Sequence, residues 1–370
     1  MRAPIAISGR QRGFSLIELM VGVVIGLLTV LVITQVMALA EGKKRTVSTG
    51  SDAQVNGALA LFTLQRDIEQ AGYGAIALPT AIGCTVNYHG SSGSGTFKLA
   101  PVVITDGGSA SVSDSITVLQ GNTVNFSAPM VLSGVALQTD DHFTVKSSFG
   151  GKVGNMMIAV PQGWTMDGSV PCGVFGITND TGAPTTTLTN TNVPHGGGNA
   201  WNQSSVFPSS SMPSGSYLLN MGTMVSRTYS VSALGNLQST DLSQTDGSKT
   251  TQDLYPQIVL MQAMYGKDSL GNGTVDTYDK TAPTTNAAWQ KVKAIRVAVV
   301  ARSGQYEKDA VTTAAPQWDL GSKSEVTGAG TCTNGNSCLS LDVSKVTDWQ
   351  HYRYKVYDTI VPLRNVLWNS

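Results

Sequence analysis

The chain changes its pattern of apolar and polar positions three times. Residues 1–13, MRAPIAISGRQRG, are polar at their end and carry Arg2, Arg10 and Arg12 with no acid. Phe14 to Ala40 is then apolar, and the 22 residues from Leu19 to Ala40 carry no charge, which is enough to cross a bilayer as a helix. Apolar residues next return at helical spacing. Val55, Ala58, Leu59 and Phe62, joined by Leu61, Leu64, Ile68 and Ala71, predict an amphipathic stripe lying on a sheet. No proline occurs between Pro4 and Pro79, and Gly72 and Gly74 flank Tyr73 as a helix stop. One helix from Phe14 to about Ala71 would measure about 90 Å at about 1.5 Å per residue. Gly42, Gly50 and Gly57 each weaken it by up to about 1 kcal/mol relative to Ala, so a bend or local melting is expected near Glu41–Gly50.

Beyond residue 78 the period shortens to that of strands. Runs at Ser115–Leu119, Thr123–Phe126, Phe143–Lys146, Met156–Val160 and Met224–Val231 are followed by longer ones at Gln257–Tyr265, Val292–Arg302 and Tyr352–Val361. Pro184–Gly215, rich in Thr, Asn, Ser, Pro and Gly, is expected to be loop. Composition agrees with a loop-rich β body facing the outside of a cell. Charged residues are 13% and Gly is 40 of 370, while 41% hydrophobic content still suffices for a core. Twenty-four bases balance 24 acids, which argues against a basic nucleic-acid binder. Aromatics at 7% give no stacking platform either.

The charge out of place is Glu18, at the head of the apolar run. An ionised carboxylate inside a bilayer costs on the order of 2.5–3.5 kcal/mol, so Glu18 either sits among headgroups or has a partner. Arginines before the span predict a cytoplasmic N-terminus, a rule weakened here by Lys43, Lys44 and Arg45 after it. A secretory signal is the other class to weigh, and Met37–Ala40 weakly imitates a cleavage site, but the apolar run is longer than a usual signal core.

The string GFSLIELMV from Gly13 resembles the type III signal of type IV pilins and of type II secretion pseudopilins. The resemblance implies cleavage by prepilin peptidase between Gly13 and Phe14, and N-methylation of Phe14. Glu18 then falls at mature position five, since 18 − 13 = 5. A new α-ammonium on Phe14 and the Glu18 carboxylate would neutralise each other in a low-dielectric bundle and fix the register of packed helices. Losing the leader removes three bases, leaving a mature charge of 21 − 24 = −3. Gly22 and Gly26 form a GxxxG pair, read either as close helix packing or as chance in a Gly-rich chain.

LFTLQRDIEQAGYGA at Leu61–Ala75 resembles the segment following the helix in PilW-type minor pilins. IVLMQAMYGKD, KVKAIRVAVVARS and YKVYDTIVPLRN are similar to that family's final strands, in order, ending at Pro362-Leu363-Arg364-Asn365. Within the first segment Arg66 and Glu69, three apart, are placed to pair, whereas Arg66 and Asp67 are not. The resemblance implies an α+β fold: a long N-terminal transmembrane and amphipathic helix packed on an antiparallel pilin-like head with a large β/loop insertion. The expected divisions are a leader at 1–13, a transmembrane and assembly helix at 14–40, an amphipathic helix at 41–77, an insertion at 78–222 and a C-terminal sheet at 223–370. The implied function is that of a minor pilin priming or tipping a type IV pilus. Its implied partners are other minor pilins, the major pilin, prepilin peptidase, the inner-membrane assembly platform and a tip adhesin. A type II secretion pseudopilin and a membrane-anchored surface adhesin are the alternatives.

Two further chemical signals remain. Cys84, Cys172, Cys332 and Cys338 are an even set in an exported head. Cys332 and Cys338 enclose the polar turn TNGNS, which predicts their pairing and leaves Cys84–Cys172 by elimination. A metal set is disfavoured by the lack of CxxC spacing. Asp268–Asp279, DSLGNGTVDTYD, reads as a calcium loop with ligands from Asp268, Asn272, Thr274, Asp276 and Asp279. Against it, Leu270 fills a ligand position and Asn272-Gly273 is a strong hairpin turn. His89, His142, His195 and His351 are scattered, and no GxSxG, HExxH or GxxxxGK[ST] occurs, so no enzyme is advertised.

Overall fold

The computed structural model describes residues 13–123, 128–137, 139–179, 188–196, 199–202 and 211–368. The leader, most of the predicted strand at 123–126 and parts of 184–215 lie outside them. The chain divides into two units, 1–51 and 52–370.

Helix α1 runs from Leu16 to Gln70, through Gly42, Gly50 and Gly57 without a break. The expected interruption near Glu41–Gly50 is therefore absent. Absence of proline over the whole stretch leaves every interior backbone donor in place, and three isolated glycines do not offset that.

The head, 52–370, holds mostly antiparallel sheet. A six-stranded sheet orders Ser94–Lys98, Thr85–His89, Cys172–Gly176, Met156–Val160, Tyr217–Gly222 and Met130–Val131. Its one parallel pair joins Thr85–His89 to Cys172–Gly176. A five-stranded sheet orders Lys249–Pro256, Asn236–Leu242, Val225–Val231, Ser115–Gln120 and Val102–Thr105, so it takes strands from both 78–222 and 223–370. A four-stranded sheet orders Thr277–Asp279, Ile258–Lys267, Val292–Arg302 and Tyr354–Pro362. The expected loop at 184–215 contains a strand, Asn192–Pro194, antiparallel to His142–Thr144.

Val292–Arg302 is apolar apart from Lys293, Arg296 and Arg302 and almost wholly buried, because both of its faces are covered. Ile295, Val297, Val299 and Ala301 join the core under α1. Ala298 and Val300, on the alternate face, pack with Trp318, Leu320 and Leu341 of a smaller layer. The core under α1 also takes Val102, Ile116, Val118 and Tyr229 from the five-stranded sheet.

The buried face of the helix differs from the expected stripe. Ala53, Gly57, Ala60, Leu64, Ile68 and Ala71 face the head, while Val55, Leu59 and Phe62 are exposed, Phe62 by 62%. A Cβ at Gly57 would lie 2.4 Å from Cε2 of Tyr357, so the helix approaches the sheet closely at this turn of the inward face.

Candidate assembly site

Gly13 and Phe14 precede the helix and are exposed, Phe14 by 82%, and no heavy atom lies within 4 Å of where a Gly13 side chain would start. Among the described residues nothing packs against this junction. Glu18 lies in the first turn of α1, where unpaired backbone N–H groups favour a carboxylate. Leu16–Gly42 is a 27-residue stretch long and apolar enough to cross a membrane. Its hydroxyls are satisfied within the helix: Thr29 Oγ1 donates to the Ile25 carbonyl at 2.7 Å and Thr34 Oγ1 to that of Leu31 at 2.9 Å. Gly22 and Gly26 have open space beside them.

The far end of α1 is tied to the head by a polar clasp. Asp67 is only 3% exposed. Its Oδ2 accepts the Tyr229 hydroxyl at 2.6 Å and Arg227 Nη1 at 2.9 Å. Arg227 turns the rest of its fork to Asp241, through Nε at 2.6 Å and Nη2 at 3.0 Å. Burial and the neighbouring Asp67 carboxylate push the Tyr229 phenol well above its ordinary range, so it stays a donor. The bidentate bond to Asp241 raises the Arg227 guanidinium further still.

Arg66 does not pair with Glu69 as the spacing suggests. It reaches Asp67 at 3.5 Å, and Glu69 pairs instead with Arg364 at 3.1 Å. The short helix Arg364–Trp368 explains the exchange, because it lies beside the end of α1. There Asn365 Nδ2 donates to the carbonyls of Gln70 and Ala71 at 3.1 and 2.9 Å, closing orphan acceptors of the helix end. Gly72, at φ +85°, then bonds the Leu119 carbonyl through its N–H at 2.8 Å. Two segments almost 300 positions apart, LQRDIEQAGYG and PLRN, thus form one joint. Periodicity marked Asp67 only as a helix-face residue; its burial and partners have no local signal.

The comparisons bear on both ends of this arrangement. The prokaryotic N-terminal methylation motif matches residues 8–34. The type IV pilus-assembly protein W family matches residues 224–365, which include Arg227, Tyr229, Asp241, Arg364 and Asn365. The two sequence matches together support a PilW-type minor pilin. The matches and the apolar helix point to membrane anchoring, to a structural class of protein and to interaction with other pilus components. Among solved structures, a type IV-like pilin from Thermus thermophilus aligns at 14% identity and a TM-score of 0.22, over 58% of this chain and 86% of its own. That overlap is too low to bear on the assignment, which rests on the two sequence matches. No curated protein matches the sequence.

In this minor pilin Cys84 bonds Cys172 at S–S 2.03 Å, and Cys332 bonds Cys338 across a Cα separation of 5.2 Å. The Asp268–Asp279 segment is a hairpin connection with its acids turned to other duties. Asp268 accepts the N–H groups of Asn272 and Gly273, both at 2.9 Å. Asp276 accepts those of Ser269 and Leu270, which holds its carboxyl below the usual range. Asp279 pairs with Lys267 at 2.7 Å, and the Asn272 side chain accepts from Thr274. Among the described residues no three acids, histidines or cysteines gather as a metal set. His195 is buried against Phe143 and Phe175, and burial pushes its pKa down to about 4.

Proposed function

We propose that this minor pilin primes or tips the type IV pilus as part of a complex with other minor pilins. The supporting observation is the pairing of an exposed Gly13–Phe14 bond with an unbroken helix whose outer face, at Val55, Leu59 and Phe62, is apolar and unused by the head. The precursor sits in the inner membrane with its head in the periplasm. Prepilin peptidase cuts after Gly13, Phe14 is methylated, and the α-ammonium of Phe14 meets the Glu18 carboxylate of its own or a neighbouring helix. That pair removes two isolated charges from an apolar bundle and sets axial register. The assembly platform then extracts the helix into a growing filament, where major pilin follows and a tip adhesin joins the exposed heads.

Gly13→Ala leaves the precursor at full length on a gel, whereas Glu18→Val is cleaved normally and fails to enter pili. Deleting the gene reduces surface pili and twitching, and complementation restores them. Normal processing of Gly13→Ala, or intact pili with lost protein secretion, would contradict this role and favour a secretion pseudopilin.

A further inference from the structure

The five-stranded sheet has two faces with different employment. One face packs under α1 through Val102, Ile116, Val118 and Tyr229. The other carries a row of threonines. Register places Thr117 opposite Thr228, Thr228 opposite Thr240, and Thr240 opposite Thr251. Their hydroxyls pair across strands, Thr117 to Thr228 and Thr240 to Thr251, each at 2.8 Å. Adjacent strands set this ladder at about 4.8 Å per step.

Over the ladder leans the hairpin of Thr85–His89 and Ser94–Lys98, and the space between holds a cleft of about 430 Å³. Its roof is Tyr88 and Phe97, with ring centroids 6.3 Å apart. Two cations, Lys98 and Lys249, line it, and none of its lining residues is an acid. Lys98 is half-buried and, among the described residues, bonds only neutral oxygens, Thr85 Oγ1 at 2.7 Å and the Met166 carbonyl at 2.8 Å. Desolvation holds its ammonium below the ordinary lysine range, and the exposed Asp167 acts on it only through space. A half-buried ammonium without a carboxylate contact favours an incoming anion.

The cleft is also pre-formed. The tip of its hairpin is seated on the tip of the Asn236–Leu242 and Lys249–Pro256 hairpin. Ser92 N–H donates to the Asp246 carbonyl at 2.9 Å. A Cβ on Gly90 would lie 2.1 Å from that same oxygen, and one on Gly93 would lie 2.2 Å from the Gly247 carbonyl oxygen. Glycine at both positions lets backbone meet backbone and holds the two hairpin tips together. A rigid site avoids the ordering cost of binding.

We propose that this cleft binds a carboxylated monosaccharide, the terminal uronate of an acidic polysaccharide, with its carboxylate on Lys98 and Lys249, its hydroxyls on the threonine ladder and the apolar face of its ring on Phe97. A volume of about 430 Å³ falls within the range of small-ligand sites. Hydroxyls alone would take a neutral sugar and lysines alone an inorganic anion; their combination selects a molecule carrying both. The proposal stands apart from pilus assembly.

The test is calorimetric titration of the full mature chain in detergent with D-glucuronate, D-glucose and inorganic phosphate. Glucuronate binds at least about tenfold tighter than either of the others, and Lys249→Met and Thr228→Val each weaken it about tenfold. Lys98 also ties its hairpin to the Met166 carbonyl, so the exposed Lys249 supplies the variant whose folding is not at stake. Glucose equal to glucuronate, phosphate equal to glucuronate, no heat at about 10 mM ligand, or an unaffected Lys249→Met would each overturn the proposal.

Discussion

Asp67 is an acid on a helix that otherwise buries apolar and small residues against the head, and it is tolerated because Arg227 and Tyr229 meet it there. Removing one member of such a network strands the others away from water. Asp67→Asn keeps the shape and loses the charge, so the head is expected to unfold about 2–3 kcal/mol more easily in denaturant titrations. An unchanged midpoint would deny the clasp its energetic role. His195 makes a second residue-scale prediction. Its folded pKa of about 4 lies below the ordinary 6.5, near Asp140, Asp141 and His142. Above pH 6.5 both folded and unfolded chains keep it neutral and it costs nothing. Between pH 6.5 and about 4 the unfolded chain takes up a proton that the folded head refuses, so stability falls by up to about 3 kcal/mol. His195→Leu should flatten that slope; identical pH profiles for variant and parent would rule the histidine out.

At the scale of elements, α1 carries two apolar faces with different roles. The small-residue face, with Gly57 against Tyr357, is committed to the head. The face of Val55, Leu59 and Phe62 is exposed and takes no part in the core of the head. Phe62→Glu is therefore expected to leave the melting temperature of the head within about 1 °C, since an exposed substitution touches no core, yet to lower recovery of the protein in sheared pili. A large loss of thermal stability would show that Phe62 serves the head instead. The connection at Asp268–Asp279 is held by its own acids, each accepting backbone N–H groups or a lysine. Titration with millimolar calcium should release no heat and shift no melting curve; a saturable response would restore the ion-binding alternative.

For the whole molecule, the Cys84–Cys172 bond spans 88 positions and ties the start of Thr85–His89 to its parallel neighbour Cys172–Gly176. Replacing both cysteines by serine should cost about 2–5 kcal/mol, with mass spectrometry of the unreduced parent reporting both bridges. Two free thiols in protein from an oxidising compartment would refute the pairing. Much of this architecture was legible along the chain. The apolar run, the lone Glu18 and the Gly13–Phe14 junction are local chemistry, and the short apolar, β-branched runs at Met156–Val160 and Val292–Arg302 mark buried strands wherever they end up. The joint between LQRDIEQAGYG and PLRN was visible only as two separate signatures, because hydrogen bonds across nearly 300 residues leave no spacing to read. For the same reason Glu69 was assigned to Arg66 rather than Arg364. The choice of helix face was also beyond periodicity, since Val55 and Phe62 are as apolar as Leu64, and the close approach of Gly57 to Tyr357 is a contact between segments far apart in the chain. Sequence thus determined the apolar helix and most strands, and marked the Gly13–Phe14 junction as a processing candidate, because propensity, charge and transfer free energy act locally. Tertiary structure decided which segments meet, and with them the clasp and the threonine-floored cleft, because packing and hydrogen bonding depend on neighbours that the chain brings in from afar.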